Sequence, residues 1–152
     1  MCRKYGMKGI VIGRSNCKLL NDYGNLCIMK DFMSQKELIK TYQQSKCLIL
    51  PNTVDASPRI LSEALSCDCR CLVNYNILGG WKYVNENTGE FFTNKNDFEQ
   101  SMLKLFNNYD KYNPSEYFNN NYGKINSGIR LKLFLCENIP KLKNIQSEYF
   151  TL

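Results

Sequence analysis

The stretch Ser45-Lys46-Cys47-Leu48-Ile49-Leu50-Pro51-Asn52-Thr53-Val54-Asp55-Ala56-Ser57-Pro58-Arg59-Ile60-Leu61-Ser62-Glu63-Ala64-Leu65-Ser66-Cys67 decides the fold. Lys46 to Pro51 is a short, continuous apolar run stopped by proline, the pattern of a strand buried on both faces. Asn52 to Ala56 is a polar loop. Ser57 and Pro58 read as an N-cap and first-turn pair. Ile60, Leu61, Ala64, Leu65 and Cys67 then fall on one arc of a helical wheel. A buried strand, a short loop and an amphipathic helix in succession are one unit of a parallel α/β sheet.

The same rhythm extends in both directions. Upstream, Lys8 to Gly13 is an apolar β-branched run, Ser15 to Asn25 is polar with turn signals, and Leu26 to Met29 is a second strand. Ser34 is placed as an N-cap with Glu37 completing a capping box, and Leu38, Ile39 and Tyr42 follow at helical spacing. Downstream, Arg70 to Val73 reads as a further strand, Gly79-Gly80 as a turn and Thr88 to Phe92 as a short extended piece. Asp97 to Leu105 forms an amphipathic helix, Asn107 to Tyr122 an Asn/Tyr-rich connector, and Ile125 to Asn138 a final helix. The expected class is α/β, a Rossmann-like doubly wound parallel sheet with C-terminal helices. Residues 1–110 form the sheet domain and 111–152 a connector and helix packed on it.

The 152 residues fit one domain of ordinary composition, 43% hydrophobic and 22% charged. Histidine is absent, which removes Ser-His-Asp triads, Cys-His pairs and His-based metal sites. The net charge of +6 draws on Lys124, Arg130, Lys132, Lys141 and Lys143, and suits an anionic partner or a solvated helix face. No basic stripe interleaves with aromatics, so nucleic acid is not an expected partner. No apolar run approaches the ~18 residues of a membrane span, and Met1-Cys2-Arg3-Lys4 leads into no signal-peptide core. A cytoplasmic location with reduced thiols is therefore expected for the eight cysteines.

In open parallel sheets, ligands bind beyond the carboxyl ends of the strands. The loop Asn52 to Ala56 and the helix after it lie at such an end, and the first amides of a helix attract anions. Arg59 in the first turn is mildly unfavourable against the helix dipole unless an anion sits there. Glu63 lies one turn on, outside the apolar arc, where a carboxylate suits a ribose diol. The alternative is an i,i+4 surface pair of Arg59 with Glu63, worth ~0.2–0.5 kcal/mol, with Asp55 a solvated loop residue. Cys67-x-Cys69-x-Cys71 fits either core packing or a metal edge. Trp81 and Tyr83 fit either stacking on a ligand or capping the sheet.

Several ordered motifs resemble the retaining GT-B glycosyltransferases called group 1 or family four. Gln35 to Pro51 is similar to the stretch preceding that family's E-x7-E motif. Asp55 to Glu63 then gives D-x7-E, and Ala64-Leu65 follows where the family has Ala-Met. Cys69 to Val73 occupies the place of the family's Gly-Pro-Val-Ile, and Gly79-Gly80 with Thr88 to Phe92 resemble its closing segment. The resemblance spans roughly residues 8 to 106 and implies the C-terminal, donor-binding half of a GT-B fold. It implies transfer of a sugar from a nucleotide-diphosphate sugar to an acceptor the sequence does not name, with retention and with neither metal nor other cofactor. Glu63 would bind the ribose, Asp55 would contact the donor sugar, and the backbone around Ser57 to Ile60 would hold the diphosphate, with Arg59 as a bidentate phosphate ligand.

The sequence departs from the family in three ways. Asp55 stands for Glu. Ala-Ser-Pro-Arg replaces a Gly-Phe-Gly type run, and Pro58 lacks an N–H. Gly9 to Gly13 aligns with the second strand of the family's half, so the first strand, its Arg/Lys pair and the acceptor-binding N-terminal half are expected to lie outside this sequence. Gly13 and Arg14 would then supply a partial substitute for that pair. The alternative function is a non-catalytic interaction module with the same half-fold, its tail helix packing on a partner chain or on an N-terminal half.

Overall fold

The structure is a computed structural model that describes residues 2–12, 27–30 and 33–142. The chain divides into two compact units, Met1–Gln44 and Ser45–Leu152. The first contains α1 (Cys2–Tyr5), β1 (Gly9–Ile12), β2 (Cys27–Lys30) and α2 (Gln35–Gln44). β1 and β2 pair in parallel, Gly9 opposite Cys27. The capping box at α2 forms as expected. The Ser34 amide donates to the Glu37 carboxylate at 2.9 Å, and the Glu37 amide returns a bond to the Ser34 hydroxyl at 3.3 Å. Gly13, Arg14 and the polar stretch 15–25 lie outside the described residues.

The second unit holds β3 (Cys47–Leu50), α3 (Arg59–Ser66), β4 (Arg70–Asn74), β5 (Gly89–Phe92), α4 (Lys95–Asn107), α5 (Pro114–Tyr122) and α6 (Lys124–Asn138). β3, β4 and β5 form a parallel sheet in that order, with Leu48 opposite Cys71 and Val73 opposite Phe91. β4 is central, and Cys71, Leu72 and Val73 have no solvent-exposed surface, the burial that a continuous apolar run requires. α3 contributes Leu61, Ala64 and Leu65 to the core, and α4 contributes Met102 and Leu105. The five strand positions and the main helices thus fall where the sequence placed them. Among the described residues the strands pair as two sheets rather than one. Local periodicity identifies a buried strand without identifying its neighbour, so pairing has no signature in one run.

Two local readings are corrected. Ser57 does not cap α3: the N-cap position is Pro58, which offers no side-chain bond, and the Ser57 amide instead donates to Asp55 Oδ1 at 2.9 Å. The Asn/Tyr-rich connector is not irregular, because it forms a 3-10 turn at Tyr109–Lys111 and then α5. Asparagine is a weak helix former, so tertiary packing makes this helix. Pro114 sits at its first turn, Pro114 and Phe118 are buried, and α5 packs against α3.

A largely covered arginine ties this connector to the sheet. Arg70 Nη1 donates to the Asp68 carbonyl at 2.7 Å and pairs with its carboxylate at 3.0 Å, while Nη2 reaches the Tyr112 carbonyl at 3.1 Å. The guanidinium carbon lies 4.2 Å from the centroid of the Tyr109 ring. Asp68, at φ +61°, accepts the Ser115 amide at 3.2 Å. Beside this cluster Glu90 bridges Lys104 (2.8 Å) and the Tyr112 hydroxyl (2.7 Å). Burial first, and then Glu90, push the Tyr112 phenol well above its ordinary value.

α4 opens with a second capping box, around Asn94 and Asp97. The Asp97 carboxylate accepts the Thr93 and Asn94 amides, each at 2.9 Å, and those bonds hold its pKa below the ordinary 3.8. A lowered folded value means the stabilisation is complete above 3.8 and disappears as pH falls through the lowered value. Thermal melts between pH 2 and 7 will therefore show Asp97→Asn below wild type at neutral pH, with the two curves converging in acid. A constant gap across the range would remove the cap from the explanation.

Candidate functional site

The loops after β3 and β4 meet at the carboxyl end of the sheet. The Gly79 amide donates to the Asp55 carbonyl at 3.1 Å, and Asn74 Nδ2 reaches the Pro51 carbonyl at 3.5 Å. The glycine pair fixes this contact. A Cβ on Gly79 would stand 2.0 Å from the Ala56 carbonyl oxygen, closer than any real carbon approaches. Gly80 has φ +93°, the left-handed region open to glycine, and a Cβ there would meet Pro58 Cγ at 2.9 Å. Gly79-Gly80 is thus pressed against Ala56 and Pro58.

This junction leaves an open pocket of about 180 Å³ lined by Ala56, Ser57, Pro58, Arg59, Ser62, Gly80, Lys82 and Tyr83. Its character is basic and hydroxylic, with two cations, two serine hydroxyls, one phenol and no carboxylate. The Arg59 side chain makes no hydrogen bond or ion pair with a described residue, and neither does Glu63. The i,i+4 surface pair is therefore not formed. The Arg59 and Ile60 amides, in the first turn of α3, have no backbone acceptor among the described residues.

Of the residues singled out in the sequence, Ser57 and Arg59 line the pocket, and Ile60 lies half-buried just behind them. Glu63 is exposed one turn further along α3 and does not line it. Asp55 does not line it either; its Oδ1 accepts the Ser57 amide and shapes the loop. Gly13 and Arg14 lie outside the described residues. Sequence reading missed Lys82. No local pattern in the sequence marks it, because only the contact of Gly79-Gly80 with Ala56 and Pro58 brings the residue two positions on into the pocket.

The two aromatic residues divide their roles. Tyr83 stacks on the scaffold, its ring 5.6 Å from Phe118 and edge-on to Tyr122 at 4.8 Å. The Trp81 indole N–H donates to the Tyr75 carbonyl at 3.3 Å and leaves the ring 49% exposed.

Among the described residues Cys69 and Cys71 are core, and Cys47 and Cys67 are partly buried. Burial pushes the Cys47 thiol up to about 11 and Cys69 to about 12, and Cys71 well above its ordinary value. Such thiols are not thiolates near neutrality and are poor nucleophiles. Among the described residues no group of three or more His, Cys, Asp or Glu is placed to hold a metal, and no helix is long and apolar enough to cross a membrane. The sequence matches no protein-family model and no curated protein.

Proposed function

We propose that the chain is the nucleotide-sugar-binding half of a retaining GT-B glycosyltransferase, working with an acceptor-binding half. The observation that carries this reading is the acid-free pocket with Arg59 and Lys82 at the carboxyl end of the parallel sheet, walled by the D-x7-E loop and the Gly-Gly turn. Two cations and two free first-turn amides suit a diphosphate. Glu63, unpaired and exposed one turn along α3, serves the ribose, and Asp55, which holds the loop through Oδ1, serves the donor sugar. Catalysis in such a site is positioning plus stabilisation of the leaving nucleoside diphosphate, which requires no histidine.

Calorimetric titration of UDP, GDP and ADP and their sugar conjugates into the purified chain tests this. One nucleotide will bind selectively, and Glu63→Ala will weaken it by about tenfold through loss of charge-assisted hydrogen bonds to the ribose. Equal affinity in Glu63→Ala would reject the site assignment. A second reading, a non-catalytic interaction module, draws on α6, where Ile125, Leu131, Leu133 and Phe134 are each more than half exposed. It is favoured if a well-folded sample binds none of these ligands.

A further inference from the structure

The geometry points to Lys82 as the second phosphate ligand of this pocket, with Arg59, and to Tyr122 of α5 as the residue that positions it. This rests on the nucleotide-sugar reading for the identity of the ligand, though not for its charge. Lys82 follows the Gly79-Gly80 turn and lines the pocket together with Arg59 from α3, so two separate segments each deliver one cation. No acidic residue lines the pocket to neutralise them. Like charges converging on one open pocket repel, and a dianionic group between them converts that repulsion into attraction on both sides.

A lysine alone is a flexible point charge, and holding it costs rotamer entropy. Here the ammonium is held in advance. Lys82 Nζ lies 5.0 Å from the centroid of the Tyr83 ring and 5.4 Å from that of Tyr122. The Tyr122 hydroxyl also donates to the Lys82 main-chain carbonyl at 3.1 Å. Tyr122 therefore fixes both the backbone and the charged end of Lys82. It comes from the segment that the Arg70 cluster docks, so the C-terminal helices contribute to the pocket through this side chain. Ring contacts leave the ammonium's N–H groups directed away from the aromatic faces free for an anion.

The test titrates inorganic pyrophosphate, then the nucleotide panel, into wild type, Lys82→Ala, Arg59→Ala, Tyr122→Phe and Tyr122→Leu, with thermal melts as the check on folding. Wild type will bind pyrophosphate, less tightly as salt rises. Lys82→Ala and Arg59→Ala will each lose about tenfold, the scale of one charge-assisted contact. Tyr122→Leu will lose severalfold, and Tyr122→Phe, which keeps the ring, will recover most of that. A purely structural role for Tyr122 would lower the melting temperature without this pattern of rescue. Full pyrophosphate affinity in Lys82→Ala overturns the proposal, as does absence of pyrophosphate binding in folded wild type. Pyrophosphate binding without any nucleotide binding would uphold the two cations and reject the nucleotide-sugar reading. Nucleotide binding undiminished in Lys82→Ala would do the reverse.

Discussion

Gly79→Ala will unseat the loop that builds the pocket. The added methyl would stand 2.0 Å from the Ala56 carbonyl oxygen and 2.7 Å from its carbon, and both are main-chain atoms that no rotamer change can move. Either the turn after β4 or the loop after β3 must withdraw, and withdrawal breaks the Gly79 bond to the Asp55 carbonyl. Overpacking of this kind costs about 3 kcal/mol. In a chain of this length that lowers the melting temperature by roughly 6–12 °C. Ligand binding suffers more than stability does, because Arg59 and Lys82 stand on the two segments that separate. Gly80→Ala, strained by its φ of +93° and by Pro58, should show a smaller loss of about 1–2 kcal/mol. Calorimetric melts and a ligand titration on both variants measure this. A Gly79→Ala protein that melts within about 2 °C of wild type would mean the two loops are not in contact.

Arg70→Ala is expected to release the C-terminal connector. The Arg70 side chain is 13% exposed, and it satisfies the Asp68 carboxylate, two main-chain carbonyls and the face of Tyr109 together. Removing it leaves the Tyr112 carbonyl without its donor and Asp68 without its cation, at a cost of about 3 kcal/mol. Arg70→Lys retains the charge without the planar fork and should recover less than half of this. Because α5 packs on α3 beside the pocket, hydrogen exchange should quicken through α5 and α6 while β3 and β4 stay protected. Uniform protection in Arg70→Ala would show that packing of Pro114 and Phe118 holds α5 without the arginine.

Much of the local structure of both units is legible in the sequence alone. The runs at Cys47–Leu50 and Arg70–Asn74 are strands because each has a short, continuous apolar centre, and α3 is a helix because its apolar residues repeat with its turn. The Ser34–Glu37 box is two groups three residues apart and needs no tertiary partner. Where the sequence misled, a longer-range contact competed with a local rule. Ser57 reads as a cap by type, but its amide is claimed by Asp55 and Pro58 takes the cap position. The connector reads as loop by composition, but burial of Pro114 and Phe118 makes α5.

The sequence by itself determined the α/β class, the order of the elements and the loop and helix that carry Asp55, Arg59 and Glu63, because periodicity and capping act within one or two turns of chain. The tertiary structure alone decided that Gly79 abuts Ala56, that Lys82 joins Arg59 while Glu63 stays at the margin, and that Arg70 and Tyr122 bring the C-terminal segment to the sheet and the pocket. Each of these joins residues about twenty to forty positions apart. Such pairs meet only when the chain closes a long loop, and no local pattern in the sequence records which closure is made.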